Sequence, residues 1–185
     1  MKTIIIGYSG HGFVVADAAI ACGHNLIGYC DLEEKTINPF KIKFFGNEIN
    51  LESKYFGKNY QFIIGIGNNN IRNKIFKFLV SKSAKVISII HPKTIVSSTS
   101  KVNFGTFISS NVSVNSLCKI GSNCILNTGS IVEHDCLISD NVHIAPGAVV
   151  LGNVKIGEGS FIGAGSIIKE GLVLGKNVII GAGSL

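Results

Sequence analysis

Residues 155–168 read KIGEGSFIGAGSII, a six-residue unit repeated with an aliphatic side chain at the same place each time. The spacing runs through the second half of the chain without a gap. Its aliphatic positions are Val102, Ile108, Val114, Ile120, Leu126, Val132, Ile138, Ile144, Val150, Ile156, Ile162, Ile168, Leu174 and Ile180. Neither a helix nor an alternating strand has a period of six. A parallel β-helix does, because three short strands form each triangular coil and one side chain per hexad enters a shared core.

The first part of the chain follows a different pattern, in which apolar strands alternate with helices. We predict strands at 2–8, 25–31, 61–66 and 85–90, and helices at 14–22 and 69–81. Such alternation is typical of a small parallel sheet with helices packed on it. Pro92 ends this pattern, since proline cannot continue a central strand. The predicted fold is therefore an α/β, Rossmann-like domain at 1–91 followed by a β-helix domain at 92–185.

Composition narrows the classes of ligand. The net charge of +6 favours anionic partners, but the Lys and Arg residues are scattered and no run of five occurs, so we predict small anionic ligands and no nucleic acid. The apolar run near Met1 is too short for a signal peptide, and no stretch of about 18 apolar residues is present. We therefore predict a cytoplasmic protein without membrane insertion.

Three of the five cysteines fall at small positions of the hexads. They are Cys118, Cys124 and Cys136, and their spacing in multiples of six indicates reduced core residues. A thiol buried in an apolar core is a poor nucleophile, so a covalent acyl-enzyme through these residues is not expected.

Two glycine turns follow predicted strands in the α/β domain. The first is GYSGHG at 7–12, which opens onto a helix N-terminus where free N–H groups can hold a phosphate. The second is GIGNN at 65–69, with Arg72 one helical turn further on. Asp31 closes the second strand, where an acid in such folds meets a ribose hydroxyl. Together these features predict a mononucleotide site, although the glycines could serve only as tight connections and His11 could serve only as a cap.

His134 stands in the charged segment IVEHDC at 131–136, in an otherwise aliphatic and glycine-rich repeat. A histidine with a pKa near neutral can take a proton from an attacking amine or hydroxyl, and a carboxylate partner fixes its tautomer. We predict His134 as a general base and Asp135 as its partner. His143 follows nine residues later, half of an 18-residue coil, so it can share a cleft with His134 only from a neighbouring face or subunit.

Four segments together resemble the sialic-acid and bacillosamine acetyltransferase family of the PglD and NeuD type. They are GYSGHG at 7–12, IGIGNNNIR at 64–72, the His91-Pro92 link and LNTGSIVEHDCLI at 126–138. The resemblance spans nearly the whole chain. It implies a left-handed β-helix, a homotrimer, acetyl-CoA bound between adjacent β-helices, no metal, and an N-acetyltransferase that acts on a UDP-4-amino sugar in bacterial glycan biosynthesis.

The same resemblance implies roles for individual residues. His134 would be the base, with Asp135 to orient it. The acetyl-CoA site would be formed by His143, Gly152, Ala164 and Ala182. The nucleotide-sugar site would be formed by Gly10, His11, Asp31, Asn68, Arg72 and Asn127. Family members also carry a tail that ends in a proline-containing loop, whereas here the hexads stay in phase to Leu185, so either such a tail follows or the protein departs from the family there.

Three other functions compete with this interpretation. O-acetylation of a sialic acid would use the same base. A nucleotide-sugar-binding or scaffolding protein would need no catalysis. A zinc-dependent carbonic anhydrase on the same β-helix would need three converging histidines, and the repeat contains only His134 and His143.

Overall fold

The computed structural model describes residues 1–185, and its first part is a parallel sheet with two helices. Its elements are β1 (Lys2–Ile6), α1 (Gly10–Ala21), β2 (Asn25–Cys30), β3 (Lys43–Phe44), β4 (Tyr60–Ile64) and α2 (Asn69–Ser81). Two 3₁₀ turns, Glu48–Asn50 and Ser53–Phe56, lie between β3 and β4. The strand order is β3-β2-β1-β4, and all pairs are parallel. The α2 bounds agree with the sequence prediction, and the first three predicted strands are confirmed.

Three details of this part differ from the sequence prediction. Helix α1 begins at Gly10 and not at residue 14, because the end of the glycine turn is itself helical. Gly12 lies in the first turn of α1 and packs against the turn before it, since an added Cβ would stand 2.4 Å from the Gly7 carbonyl oxygen. Strand β3 was missed, since two residues are too few to show alternation. The predicted strand at 85–90 is confirmed only in part, because Val86 makes a single bridge to Phe62 of the sheet and Ile89–Ile90 form a strand of the β-helix.

The second part is a parallel β-helix of two-residue strands. These are β5 (Ile89–Ile90), β6 (Ile95–Val96), β7 (Lys101–Val102), β8 (Phe107–Ile108), β9 (Ser113–Val114), β10 (Lys119–Ile120), β11 (Ile125–Leu126), β12 (Ile131–Val132), β13 (Leu137–Ile138), β14 (His143–Ile144), β15 (Val149–Val150), β16 (Lys155–Ile156), β17 (Phe161–Ile162), β18 (Ile167–Ile168), β19 (Val173–Leu174) and β20 (Ile179–Ile180). Each strand pairs in parallel with the strand 18 residues along the chain, as in the pairing of Lys119 with Leu137.

The strands stack into three faces, which we name by their outward residues. The covered face, made of β5, β8, β11, β14, β17 and β20, lies against the α/β domain. The aliphatic face contains β6, β9, β12, β15 and β18. The lysine face contains β7, β10, β13, β16 and β19. The chain winds from the covered face to the aliphatic face and then to the lysine face.

The second residue of nearly every strand points inward and builds the shaft. A cluster of 18 buried residues runs through it and includes every hexad aliphatic from Ile108 to Ile168. Val102, Leu174 and Ile180 pack against its ends. Cys118, Cys124 and Cys136 are free thiols within the same core. The predicted hexad register is therefore confirmed.

The corners between strands share one backbone conformation. The residues with positive φ in the β-helix are Gly105, Asn111, Leu117, Asn123, Gly129, Asp135, Asn141, Gly147, Asn153, Gly159, Gly165, Gly171, Asn177 and Gly183, which recur every sixth position. Left-handed backbone favours Gly and, among residues with a Cβ, Asn and Asp. The glycine and asparagine content of the repeat follows from this requirement, and Leu117 is the exception.

The two parts share an apolar core. Phe107 and Ile125 of the covered face belong to one buried cluster with Tyr8 and Val15 of the α/β domain. None of the helices has both the length and the apolar character needed to cross a bilayer.

Candidate active site

His134 and Asp135 form a hydrogen-bonded pair at the corner between the aliphatic and lysine faces. The distance from His134 Nδ1 to Asp135 Oδ2 is 2.9 Å, and both side chains are more than half exposed. Asp135 has the positive φ of 60° that each corner requires, and its carboxylate lies against the adjacent ring. The hydrogen bond to Asp135 raises the pKa of His134 above its ordinary value, and the charges of Asp135, Glu133 and Glu170 contribute further.

Gly152 lies one coil above His134 and leaves room for its ring. A Cβ added at Gly152 would stand 2.7 Å from His134 Cε1 and 2.9 Å from Nε2, so any side chain there would displace the imidazole. The Gly152 N–H makes no hydrogen bond within the chain. An imidazole and a free backbone donor therefore lie side by side at this corner.

A second group of predicted residues surrounds a cavity of about 270 Å³ at the carboxyl ends of β1 and β4. Both glycine turns line it, together with Ser9, His11 and Asp31. Gly10 is exposed at the start of α1, where the N–H groups of the first turn are free. The parallel topology thus brings the two turns to one edge of the sheet, as expected from the sequence.

His11 reaches this cavity as a neutral imidazole. Burial, followed by the charge of Arg72, lowers the pKa of His11 to about 4. Its Nε2 atom is buried and has no hydrogen-bond partner. An unpaired buried nitrogen is costly, so this atom is a candidate contact for a ligand.

Asp31 lies at the edge of the same cavity, but its carboxylate is already engaged. One oxygen accepts a hydrogen bond from the Tyr8 N–H at 2.9 Å, and the other accepts from the Leu32 N–H at 2.7 Å. The Lys35 ammonium stands 3.1 Å from the second oxygen. Asp31 therefore fixes the loop after β2 and the first glycine turn.

His143 projects from the covered face toward the α/β domain and is buried. Its Nδ1 is 3.2 Å from the Gly67 carbonyl oxygen, which can only accept, so Nδ1 carries the proton. Nε2, 3.3 Å away from the Asn127 amide nitrogen, then accepts. Burial, with the charges of Arg72 and His11, lowers the pKa of His143 to about 3, so the ring is neutral.

Arg72, for which the resemblance implied a substrate contact, is instead committed to the protein. It is 1% exposed, and its five N–H donors meet the carbonyls of Asn123, Asn141, Ile66 and Gly67 and the side-chain oxygen of Asn69. No donor remains for a nucleotide phosphate. The side chain joins α2 and the second glycine turn to two successive coils of the β-helix.

The other predicted residues lie around the β-helix corners and the start of α2. Asn68 caps α2, since its side chain accepts from the N–H groups of Asn70 and Ile71. Ala164 and Ala182 are exposed one coil apart at the corner between the covered and aliphatic faces, the corner that also carries Asn127. Gly152 and His134 lie at the other edge of the aliphatic face. One chain therefore places Gly152 on one corner, Ala164 and Ala182 on another, and His143 on the covered face between the β-helix and the α/β domain.

Two residues near these sites, the buried Glu48 and the half-buried Asn69, were missed by the sequence analysis. Glu48 lines the cavity between the glycine turns, and Asn69 donates to the Gly159 and Ser160 carbonyls across the domain boundary. Glu48 follows a short segment without regular periodicity, so no sequence pattern identified it. No group of three His, Cys, Asp or Glu side chains is placed to hold a metal ion.

Two family models match the chain. Residues 2–79 match the PglD N-terminal domain. Residues 117–152, 135–170 and 153–185 match the bacterial transferase hexapeptide of six repeats. The two matches lie in the α/β part and in the β-helix, respectively.

Solved structures share the whole architecture. The acetyltransferase domain of PglB from Neisseria gonorrhoeae FA1090 is 30% identical with a TM-score of 0.90, over 98% of this chain and 89% of that chain, and it has also been solved in complex with acetyl coenzyme A. The perosamine N-acetyltransferase PerB from Caulobacter crescentus, in complex with CoA and GDP-perosamine, is 28% identical with a TM-score of 0.92, over 99% and 87%. WeeI from Acinetobacter baumannii AYE, 24% identical with a TM-score of 0.86 over 99% and 90%, shows the same fold.

Proposed function

Because the chain belongs to the family of hexapeptide-repeat sugar acetyltransferases with a PglD-type N-terminal domain, we propose that it transfers the acetyl group of acetyl-CoA to the amine of a UDP-activated 4-amino sugar. The observation that carries the proposal is the His134–Asp135 pair beside the unpaired Gly152 N–H. We further propose that the enzyme is a homotrimer that acts in the cytoplasm.

The arrangement of the faces supports a trimer. The covered face packs against the α/β domain through Phe107 and Ile125, and the lysine face presents three lysines, Lys101, Lys119 and Lys155, beside the exposed Leu137 and Val173. The aliphatic face presents Ile95 and Ile167 with little to cover them, at 72% and 41% exposure. Exposed aliphatic surface of this kind indicates a protein interface. Packing the aliphatic faces about a threefold axis brings one edge of each face to the opposite edge of its neighbour.

Such packing would complete the site from two copies. His134 and Gly152 lie at one edge of the aliphatic face, and Asn127, Ala164 and Ala182 lie at the other. In a threefold ring, the His134 corner of one copy meets the Asn127 corner of the next. The groove between them would hold the acetyl-CoA arm, and the nucleotide cavity of the second copy would deliver the sugar to its end.

The protonation states follow from the hydrogen bonds. The Asp135 carboxylate only accepts, so in neutral His134 the proton lies on Nδ1 and Nε2 keeps its lone pair. The sugar amine attacks the thioester carbon, its nitrogen forms the amide bond, and Nε2 takes the proton. The Gly152 N–H donates to the developing oxyanion. The carbon–sulfur bond then breaks, and the imidazolium returns the proton to the CoA thiolate.

The proposal is tested by following thiol release from acetyl-CoA with UDP-amino sugars, GDP-amino sugars, and free or CMP-activated sialic acids. We expect turnover with a UDP-4-amino sugar, and we expect His134→Ala to lower kcat by a factor on the order of 100 or more. Ser116→Ala, at the same corner one coil below, is the matched control and should retain wild-type kcat. Turnover only with sialic acids, or unchanged transfer by His134→Ala, would contradict the proposal.

A further inference from the structure

The cavity between the two glycine turns holds a second carboxylate besides Asp31. Glu48 is the first residue of a 3₁₀ turn whose start is fixed by the Asn47 side chain, which accepts from the Ile49 N–H. The Glu48 residue is only 7% exposed and lines the cavity together with Ser9 and Gly67.

Glu48 has no partner within the chain. Its carboxylate makes no hydrogen bond and no salt bridge, whereas Asp31 accepts two backbone N–H groups and faces Lys35. Both carboxylate oxygens keep some contact with solvent in the cavity, so they are open to a ligand there. Of the two acids in the cavity, Glu48 is therefore the one with free acceptor capacity for a ligand.

The surroundings of Glu48 restrict what that ligand group can be. No Lys or Arg lines the cavity, and His11 is neutral there because its pKa is about 4. A phosphate next to Glu48 would be repelled, and phosphate is better placed at the free N–H groups of α1. Of the groups that a nucleotide offers, the partner of Glu48 must therefore be a neutral one that donates hydrogen bonds.

The position of Glu48 indicates which neutral donors these are. Glu48 and Asp31 both lie close to Cys30, the last residue of β2, and their charges add to the effect of burial, which raises the pKa of Cys30 to about 12. The carboxyl end of the second strand is where an acid meets the ribose hydroxyls in nucleotide-binding sheets of this kind. Asp31 holds that place in sequence, but its carboxylate is engaged.

We propose that Glu48 is a substrate-positioning residue whose carboxylate accepts hydrogen bonds from the ribose 2′- and 3′-hydroxyls of the bound nucleotide. The inference rests on the proposed nucleotide-sugar function and extends it to one residue of the substrate site. A guanine edge also offers two adjacent neutral donors, N1–H and N2–H, so the experiment separates the base from the ribose.

The test is calorimetric titration of the whole protein with UDP, 2′-deoxy-UDP, 3′-deoxy-UDP and GDP. We expect wild type to bind each deoxy nucleotide on the order of tenfold more weakly than UDP, because a hydrogen bond to a charged acceptor is lost. Glu48→Gln should bind UDP about tenfold more weakly than wild type and should no longer distinguish UDP from the deoxy forms. Glu52→Gln, an exposed acid paired with Lys54 a few residues away, should match wild type.

The alternative results are each decisive. Equal binding of UDP and the deoxy nucleotides by wild type would overturn the proposal without any mutation, and so would wild-type affinity of Glu48→Gln for UDP. A loss in Glu48→Gln confined to GDP would assign the carboxylate to the base edge instead. Nucleotide binding that behaves as expected, without acetyl transfer, would overturn the proposed function and leave the role of Glu48 standing.

Discussion

At the scale of single residues, Asp135 meets two requirements at once, one of the backbone and one of the neighbouring His134. The corner conformation favours Gly, Asn or Asp at position 135, and only Asp of these three supplies a charge to the neighbouring imidazole. Asp135 therefore satisfies the backbone and raises the pKa of His134 at the same time. A base with a raised pKa is a stronger proton acceptor, but it is neutral only at higher pH.

Asp135→Asn should separate these two roles. Asn tolerates the positive φ and still accepts from Nδ1, but the pKa of His134 should fall toward its ordinary value of 6.5 because the charge is gone. Since the base works when deprotonated, the acid limb of kcat/KM against pH should move to lower pH. The plateau should drop by a factor on the order of ten or more, because the imidazolium is less stabilised.

Glu133→Gln provides the comparison for that pH profile. The Glu133 charge also raises the pKa of His134, but less than Asp135 does, and its carboxylate accepts from Asn115 at 2.7 Å. A smaller shift of the acid limb in the same direction is expected. An acid limb that does not move in Asp135→Asn would show that His134 is not the group titrating in kcat/KM.

At the scale of elements, the β-helix is a sequence of strands joined by one repeated corner. The recurring positive φ explains why the hexads need Gly or Asn, and the inward aliphatics explain why the strands need only two residues each. Leu117 stands at the corner position with φ of 65° and a side chain that is 57% exposed. Because so little of its apolar surface is buried, the cost of the left-handed backbone dominates the contribution of Leu117 to the free energy of unfolding.

Leu117→Asn should accordingly stabilise the protein. We expect a gain of about 1 kcal/mol in the free energy of unfolding, since Asn adopts left-handed backbone at lower cost than Leu. The reverse change, Asn153→Leu at the same corner two coils above, should lower it by a similar amount. Chemical denaturation of both variants measures the two effects, and a loss of stability in Leu117→Asn would show that contacts of Leu117 outweigh its backbone strain.

The sequence predicted the repetitive part of the fold better than the sites built from distant contacts. The hexad register followed from sequence, because each inward residue and each corner carries its own local signal. The hydrogen bonds of Arg72 and Asp31 could not be predicted, because they join residues far apart in the sequence. Arg72 donates to carbonyl groups 51 and 69 residues further along the chain, and Asp31 accepts from a backbone N–H 23 residues before it. The same holds for Glu48, whose burial depends on the packing of an irregular loop against β2.

At the scale of the whole molecule, the proposed activity depends on association through the aliphatic face. Ile167→Glu places a charge on that face and should convert the proposed trimer to a monomer, with loss of acetyl transfer, because the two corners of the proposed site then no longer meet. Val173→Glu, on the lysine face and 71% exposed, should remain trimeric and active. Light scattering coupled to size exclusion measures the mass, and an Ile167→Glu trimer would show that another face mediates assembly.

The Arg72 clamp has a consequence for how the enzyme can change its substrate. One guanidinium donates to the Asn123 and Asn141 carbonyls of adjacent coils and also to the Gly67 carbonyl in the turn beside the cavity at the sheet edge. We therefore expect the loops around the cavity to tolerate substitutions that accommodate other sugars, while the Arg72 contacts keep the turn at a fixed position on the β-helix. Under the proposed function, acceptor recognition in that cavity can therefore change without disturbing the donor site on the β-helix.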